Sequence, residues 1–480
     1  MQERCVAMSK ALRSRKRWGL ADPFPAGCDR PIWGEQGQSM GYLSAWPHYG
    51  GEPHSHIKMV GNSIRSRSIG PTSTHTFFDP FGGVLALNPY EETTDAAQNG
   101  QKWPRSFAEG GSPNVHDNFN SGSNAGGSTA IGVFCEALHK LWFDHHYNRE
   151  KSEPVVACTG FGGTKIAWRT SEADPAHPWY FRQLDYFAKV KALCAAESKS
   201  CGVGLLTCFD GETDHTQSTA DYYDTFVDWQ ERLKTWLQSE GLWLGKPAVF
   251  GHQAGDKWTS ADPWLPVSND QLRLSLDHHT VLIGPSYPYP DDPVGQHYVT
   301  NAVRNVALDC LVAANQIWID GIDHQPTHWH EAYGKDDEIA FLYHTPDGSA
   351  LDRGLPWKGC QQTSFVGMGY HSYGSDGIPN PVLDAWFPEP HVLIVKCQSP
   401  ITGIGSGAFA NYAAKAIFGG MGCLTTRAKF VWDDLKYRYH PEWGDDHHDK
   451  DGFGVHDLPI GREYDTRDWA CAQAMALKAL

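Results

Sequence analysis

Short apolar runs alternate with longer amphipathic segments over most of the first two thirds of the chain. In the segment 222–238, Phe226, Trp229 and Leu233 recur at helical spacing, which indicates a helix with one buried face. The run 154–158 is short and mostly apolar, which indicates a buried strand. By these patterns, a first strand ends near 31–32, and further strands are predicted at 154–158, 203–208, 246–253 and 280–284. Helices are predicted at 126–142, 179–198, 222–238, 269–276 and 299–316.

This alternation predicts the fold class. Strands that alternate with helices favour a parallel sheet whose two faces are covered by helices. We therefore predict an α/β fold over residues 31–320, a three-layer α/β/α domain with a mostly parallel five-stranded sheet.

The pattern changes outside these segments. Residues 1–30 are polar and basic and then rich in Pro and Gly, which indicates a loose polar lead-in. Residues 45–130 lack periodicity, so we expect a long surface loop, a feature that is usually functional. Beyond residue 320, β-type runs at 338–343, 364–368 and 391–395 lie between turn signals. Residues 321–480 therefore read as a smaller, β-rich and sandwich-like accessory domain.

Composition excludes several function classes. A net charge of −16 disfavours nucleic acid as a partner. No run approaches the 18 apolar residues of a membrane span, and no apolar segment of signal-peptide length follows the basic residues 10–17. The 12 cysteines are spaced singly with no Cys-x-x-Cys, which favours buried free thiols. We therefore expect neither nucleic acid nor membrane as a partner, and the oligomeric state and compartment stay open.

Two histidine-rich segments are candidate metal sites. Asp323, His324, His328 and His330 form one, and the residues around 440–448 form the other. No cysteine stands at zinc-ligand spacing beside them. We expect no metal and no cofactor.

Candidate chemistry lies after the predicted strands. Ligands of an open parallel sheet bind at the carboxyl ends of its strands. The loops expected at this edge carry Ser39, the turn 162–164, Glu212 and the segment 291–297. A serine, a histidine and carboxylates at one edge suit acyl transfer, with Ser39 as nucleophile and His297 as base. The backbone N–H groups of Gly163 and Ser39 are candidate oxyanion donors.

Four blocks in this order resemble the SGNH/GDSL-type hydrolases, in their sialate O-acetylesterase and acetylxylan esterase branch. Residues 37–40 resemble the Gly-Gln-Ser-Asn block, 162–168 the Gly-Gly-Thr-x-Ile-x-x-Trp block, 210–214 the Gln-Gly-Glu-Ser-Asp block, and 296–301 the terminal His-Leu-Thr block. The resemblance implies an esterase that removes O-acetyl groups from a carbohydrate such as sialic acid, O-antigen or xylan through an acyl-enzyme on Ser39. It also implies oxyanion or substrate contacts at Gln38, Gly162, Gly163 and Asp210.

The region after residue 320 resembles, more weakly, the β-rich module of phage-associated members. That resemblance implies an extracellular or virion-associated location, whereas the hydrolase blocks imply an acetylated carbohydrate as partner.

The blocks also depart from the family pattern. Asp210 replaces the Gln that can donate to an oxyanion, and Val294 stands where an Asp usually precedes the histidine by three residues. Asp292 or Asp291, Glu212, or a main-chain carbonyl can orient His297 instead, and a Ser–His dyad is a further alternative. These departures leave a second function open, a non-catalytic carbohydrate-binding or virion structural protein on a degenerate hydrolase scaffold.

Overall fold

The computed structural model describes a discontinuous set of residues. These are residues 19–35, 44–45, 54–60, 87–90, 128–129, 131, 134–135, 137–138, 141, 153–158, 165–167, 179–216, 221–254, 262–289, 300–346, 348–353, 370–413, 424–427 and 470–480.

A seven-stranded sheet organises the first part of the chain. Its order is β4-β3-β6-β1-β7-β8-β9, and every neighbouring pair is parallel except β3 with β4. The strands are β1 (Arg30–Glu35), β3 (His54–Val60), β4 (Leu87–Tyr90), β6 (Val155–Cys158), β7 (Cys201–Thr207), β8 (Trp243–Gln253) and β9 (Val281–Pro285). The short strands β2 (Ser44–Ala45) and β5 (Ser128–Thr129) pair separately. The predicted α/β fold class is confirmed.

The prediction of a surface loop over 45–130 is wrong where β3 and β4 form. These two strands extend the five predicted ones at one side of the sheet. The edge strand β4 is held largely by its backbone pairing with β3, and β3 in turn pairs with β6 at only two positions, Lys58 and Met59. Such a strand needs no long apolar run, and the sequence pattern therefore missed it.

Helices flank the sheet close to the predicted positions. They are α1 (Trp179–Ala196), α2 (Glu212–Thr216), α3 (Tyr222–Ser239), α4 (Pro266–Leu276) and α5 (Thr300–Ala314), the last continued by a π-helix at Asn315–Ile319. Helix α4 begins three residues earlier than predicted because Pro266 occupies its first position, where a missing N–H costs nothing. In the predicted helix 126–142, Ile131, Phe134, Leu138 and Leu141 are helical and buried, whereas 128–129 form β5.

Successive residues of the central strands enter two different cores. Ile32, Leu206 and Val249 pack with α1 and α3 on one face of the sheet. Their chain neighbours Trp33, Leu205 and Phe250 pack with α5 and the helical positions 131–141 on the other. This period of two along each strand places helices on both faces, which is the predicted three-layer arrangement.

Part of the predicted lead-in also packs on this domain. Ala21 donates its N–H to the Lys246 carbonyl at 2.8 Å. Phe24 stacks on Trp33 with ring centroids 5.5 Å apart. Residues 21–24 therefore contribute to the core that β1 lines.

The later part of the chain is β-rich. A five-stranded sheet (β15-β16-β11-β10-β20) and a four-stranded sheet (β14-β13-β17-β19) share one core, in which Trp329 of β10 stacks on Tyr370 of β13 at 5.5 Å. The strands are β10 (His328–Lys335), β11 (Glu338–His344), β12 (Leu351–Arg353), β13 (Tyr370–Tyr373), β14 (Pro379–Asn380), β15 (Val382–Glu389), β16 (Val392–Cys397), β17 (Phe409–Tyr412), β18 (Leu424–Thr426), β19 (Gln473–Ala476) and β20 (Lys478–Ala479).

The β-type runs predicted at 338–343 and 391–395 correspond to β11 and β16. The run predicted at 364–368 lies outside the described residues, and the domain boundary near 320 stays a prediction.

Side-chain amides of the α/β domain pair with the backbone at the end of the chain. Gln253 donates to the Ala472 carbonyl at 2.7 Å and accepts from the Ala472 N–H at 2.6 Å. Asn269 makes the same two bonds with Ala474, both at 3.1 Å. The two amides thus replace a neighbouring strand along the outer side of β19, the edge strand of its sheet.

We predict that Gln253→Leu lowers the free energy of unfolding by about 2 to 4 kcal/mol. The change removes the two bonds to Ala472 and a third from Gln253 Nε2 to the Ser268 carbonyl at 2.8 Å. Urea denaturation measures the loss. The exposed Gln238→Leu on α3 is the control, with an expected change below about 0.5 kcal/mol. Equal effects of the two substitutions would show that the bonds between Gln253 and Ala472 do not stabilise the fold.

Candidate active site

Five parallel strands end at one edge of the sheet. Glu35 of β1 lies opposite Cys158 of β6 and Thr207 of β7. On the other side of β7, Thr207 pairs with Phe250, and Gln253 farther along β8 pairs with Pro285 at the end of β9. The segments that follow these residues in the chain therefore start from a common edge, as expected for the ligand site of an open α/β sheet.

Six predicted site residues follow these strand ends but lie outside the described residues. Their roles stay predictions; they are Gln38, Ser39, Gly162, Gly163, Asp292 and His297. Two predicted site residues, Asp210 and Glu212, are described in full. They belong to the segment that leaves β7.

The segment turns sharply at Gly211. Its φ of +108° is readily available only to glycine, and a Cβ there would lie 2.4 Å from the Gln271 side-chain nitrogen. That same nitrogen donates to the Asp210 carbonyl at 2.8 Å. Gly211 therefore lets α4 approach the turn, and α2 starts at the next residue.

Asp210 is buried and faces protein donors. The Tyr222 hydroxyl donates to Oδ1 at 2.5 Å, and the Cys208 thiol donates to Oδ2 at 3.3 Å. Only 1% of Asp210 is exposed to solvent. The carboxylate thus has a hydrogen-bond donor at each oxygen, which compensates for its burial.

Glu212 forms a buried pair with a histidine that the sequence patterns did not select. Its Oε1 lies 2.6 Å from His252 Nε2, and both side chains are almost completely buried. Phe209 stacks on the imidazole at 5.4 Å. A hydrogen bond this short to an ionised carboxylate is among the stronger ones in proteins. The pair fixes the first residue of α2 against β8.

Asp214 connects two of the sequence blocks. Its Oδ2 accepts the backbone N–H of Ile166 at 3.0 Å, and Asp214 is fully buried. Ile166 belongs to the block that follows β6, whereas Asp214 belongs to the block that follows β7. The structure therefore brings these two blocks together at the sheet edge. A carboxylate near the edge of a sheet is more often part of a surface salt link, whereas Asp214 is buried and bound to a backbone N–H.

His215 completes the buried polar cluster on α2. Burial lowers its pKa to about 4, against the opposing fields of Glu212 and Asp262. Among the described residues, its Nδ1 has no hydrogen-bond partner. The imidazole is therefore neutral at physiological pH.

His252 and His215 are not among the site residues that the sequence predicts. His252 stood inside the predicted strand 246–253 near its carboxyl end. A polar residue in an otherwise buried run, at the edge where ligands bind, is a usable signal. His215 directly follows the 210–214 block and carried no separate signal.

The predicted metal-ligand candidates have other partners where they are described. His324 places Nδ1 2.6 Å from Gln316 Oε1 and Nε2 2.9 Å from the Leu282 carbonyl. His328 Nδ1 lies 2.8 Å from the Pro326 carbonyl. Within the described ranges, no three His, Cys, Asp or Glu side chains group as a metal site. The segment 440–448 lies outside those ranges.

Among the helices in the described part of the chain, none is both long and apolar enough to cross a membrane.

Solved structures with a similar fold exist. A carbohydrate acetylesterase from Xanthomonas citri is 13% identical and superposes with a TM-score of 0.51, covering 83% of this chain and 78% of that one. NanS is 13% identical with a TM-score of 0.38 over 61% of this chain and 99% of that one. A protein from Arabidopsis thaliana is 12% identical with a TM-score of 0.37, over 59% and 98%. No protein-family model and no curated protein matches the sequence. The first likeness supports the α/β fold with a further β-rich region.

We predict that acidification destabilises the protein through His215. The unfolded chain takes up a proton near the ordinary pKa of 6.5, whereas the folded chain does so only near 4. This stability is complete above pH 6.5 and falls by about 1.4 kcal/mol per pH unit as the pH drops toward 4. His215→Gln removes this proton uptake, so its free energy of unfolding should depend less steeply on pH between 6.5 and 4.

Urea denaturation at several pH values in this window measures both slopes. His330→Gln is the control, because His330 of β10 is exposed. It tests whether the loss of any histidine changes the pH dependence in the same way. If the free energy of unfolding of His215→Gln depends on pH as steeply as that of the wild type, His215 takes up its proton at the same pH in the folded and unfolded chain, and the prediction is wrong.

Proposed function

We propose that the protein is a serine esterase that hydrolyses O-acetyl or other short acyl esters on a carbohydrate such as sialic acid, O-antigen or xylan. The common edge at which β1, β6, β7 and β9 end carries this proposal. The four blocks resembling a carbohydrate esterase follow these four strand ends, in the order the resemblance requires. The likeness in fold to a carbohydrate acetylesterase supports it.

The proposed reaction has two steps. Ser39 Oγ attacks the acyl carbonyl carbon while His297 takes the hydroxyl proton. The C–O bond to the sugar breaks, and His297 returns the proton to the leaving sugar oxygen. Water then attacks the acyl-enzyme with His297 again as base, releasing the carboxylic acid and restoring Ser39. The chemistry needs no metal or cofactor.

Backbone groups are the proposed oxyanion donors. An ionised carboxylate at Asp210 would repel a developing oxyanion. The bonds from Tyr222 and Cys208 hold that carboxylate toward protein donors. These contacts favour the N–H groups of Gly163 and Ser39 for this role, with Gln38 and Gly162 shaping the same turns.

Asp292 is the proposed partner of His297. Glu212 is the competing carboxylate, but its Oε1 is bound to His252 at 2.6 Å. That contact supports a role for Glu212 in holding α2 and the site loop in position. If substitution of neither carboxylate lowers the rate, either a main-chain carbonyl orients His297 or the site is a Ser–His dyad without a third member.

We predict that Ser39→Ala and His297→Ala each lower kcat for p-nitrophenyl acetate by about three orders of magnitude or more while the far-UV circular dichroism is unchanged. Ser44→Ala, at a serine five residues further along the chain, is the matched control and should retain activity. If wild type and Ser39→Ala are equally inert, the non-catalytic carbohydrate-binding function takes the place of the esterase.

We predict that Asp292→Asn lowers kcat by about 100-fold or more, since a carboxylate that holds the imidazole tautomer acts on the transition state. Glu212→Gln should mainly lower the thermal unfolding temperature, because it weakens a buried pair with His252. Parallel kinetics and thermal unfolding of the two variants separate these roles. A large kcat loss in Glu212→Gln at unchanged stability would reverse the assignment.

A further inference from the structure

A partly exposed tryptophan lies just before α4, at the active-site edge of the sheet. Trp264 exposes 41% of its surface, although it belongs to a turn in which its neighbours Pro263 and Leu265 make structural contacts. The turn follows the end of β8 in the chain and leads directly into α4.

The indole ring is supported from one side by the β-rich region. Phe409 of β17 stacks on it with centroids 4.1 Å apart and planes inclined by 20°. Tyr373 of β13 stacks on Phe409 at 4.4 Å and 3°. Two rings this close and this parallel to Phe409 must occupy its opposite faces. Trp264 is therefore the outermost of three stacked rings, and its exposed surface lies away from the stack.

The backbone of the turn is fixed as well. Asp262 Oδ1 accepts the Trp264 N–H at 2.9 Å, and Asn269 donates to the Trp264 carbonyl at 2.8 Å. Asn411 of β17 donates to the Pro263 carbonyl at 2.9 Å. Such a ring is held in position before any ligand arrives, which lowers the entropic cost of binding.

Leu265 shows the strain that this arrangement requires. Its φ of 49° is left-handed, a conformation that leucine rarely adopts and that costs on the order of 1 kcal/mol or more. The leucine side chain is buried in the core of the β-rich region. The backbone thus reverses between two adjacent large apolar residues, burying Leu265 and leaving Trp264 partly exposed.

The turn lies near the candidate active site. Gln271, on the second turn of α4, donates to the Asp210 carbonyl at 2.8 Å. Six residue steps separate Leu265 from Gln271, which corresponds to about 9 Å along the helix axis. Asp262 of the same turn contributes to the electrostatic field at His215 on α2, the helix that Glu212 begins. A short carbohydrate chain can therefore reach both places at once.

We propose that Trp264 is a sugar-binding platform, on which a pyranose ring of the carbohydrate chain stacks beside the residue that is deacylated. The apolar C–H face of a pyranose matches a flat, rigid and exposed indole, and the sugar hydroxyls stay hydrated at its rim. The β-rich region supplies Phe409, Tyr373 and Asn411 to hold the platform. The inference rests on the proposed function, because that function supplies the carbohydrate.

Binding and turnover test the platform separately. Binding is measured in the Ser39→Ala background by affinity electrophoresis in gels containing acetylated xylan or O-acetylated polysialic acid, so that no substrate is consumed. Adding Trp264→Ala should weaken the affinity for the retained polysaccharide by about tenfold. Trp264→Phe should keep most of it. Phe181→Ala, a similarly exposed aromatic residue on α1, is the matched control and should have no effect.

Turnover is measured with Ser39 intact. Trp264→Ala should raise KM for the acetylated polysaccharide by about tenfold and change kcat/KM for p-nitrophenyl acetate by less than about twofold. Thermal unfolding checks that the variant is folded. If Trp264→Ala does not fold, Trp264→Leu, which keeps apolar bulk without an aromatic face, decides the question with the same expected loss.

Unchanged polysaccharide affinity in folded Trp264→Ala or Trp264→Leu, or no affinity of the Ser39→Ala protein with Trp264 intact for either polysaccharide, would overturn the platform. A failure of the esterase proposal looks different: the wild type would be inert toward every ester while the binding assay still reported on Trp264.

Discussion

Burial of three carboxylates in five consecutive residues constrains the α/β domain. An ionised carboxylate removed from water costs several kcal/mol unless it is paired or hydrogen-bonded. Asp210, Glu212 and Asp214 are all buried, and each has a partner from a different element. The partners are the Tyr222 hydroxyl on α3, the His252 imidazole on β8 and the Ile166 N–H after β6. The segment after β7 therefore fixes the elements around it.

The same segment connects the site with the β-rich region through α4. Three polar side chains in the first two turns of α4 bind different partners. Ser268 donates to the Ala254 carbonyl at the end of β8, Asn269 pairs with the Ala474 backbone, and Gln271 donates to the Asp210 carbonyl. Because an α-helix turns by about 100° per residue, these positions face different directions. One rigid helix thus ties the carboxylate segment to both the sheet and β19.

The elements were predictable from sequence wherever a local pattern encoded them. The alternation of Leu205 with Leu206 and of Val249 with Phe250 requires helices on both faces, which is the predicted fold class. The contacts that hold the site were not predictable, since Glu212 meets His252 from 40 residues away and Gln253 meets Ala472 from 219 residues away. No spacing rule relates such pairs.

The contacts between the turn before α4 and the β-rich region also explain why Trp264 can be exposed while its turn is stable. The hydrogen bonds of Asn269 and Asn411 and the burial of Leu265 hold the turn without burying the indole. A tryptophan that contributed only to packing would gain more from full burial, at about 25 cal/mol for each Å² removed from water. Instead, the three-ring stack orders the ring and leaves much of it in solvent. Order without burial in a large aromatic side chain is the arrangement that a binding surface requires, because the ring is already positioned and its apolar face is still available to be covered.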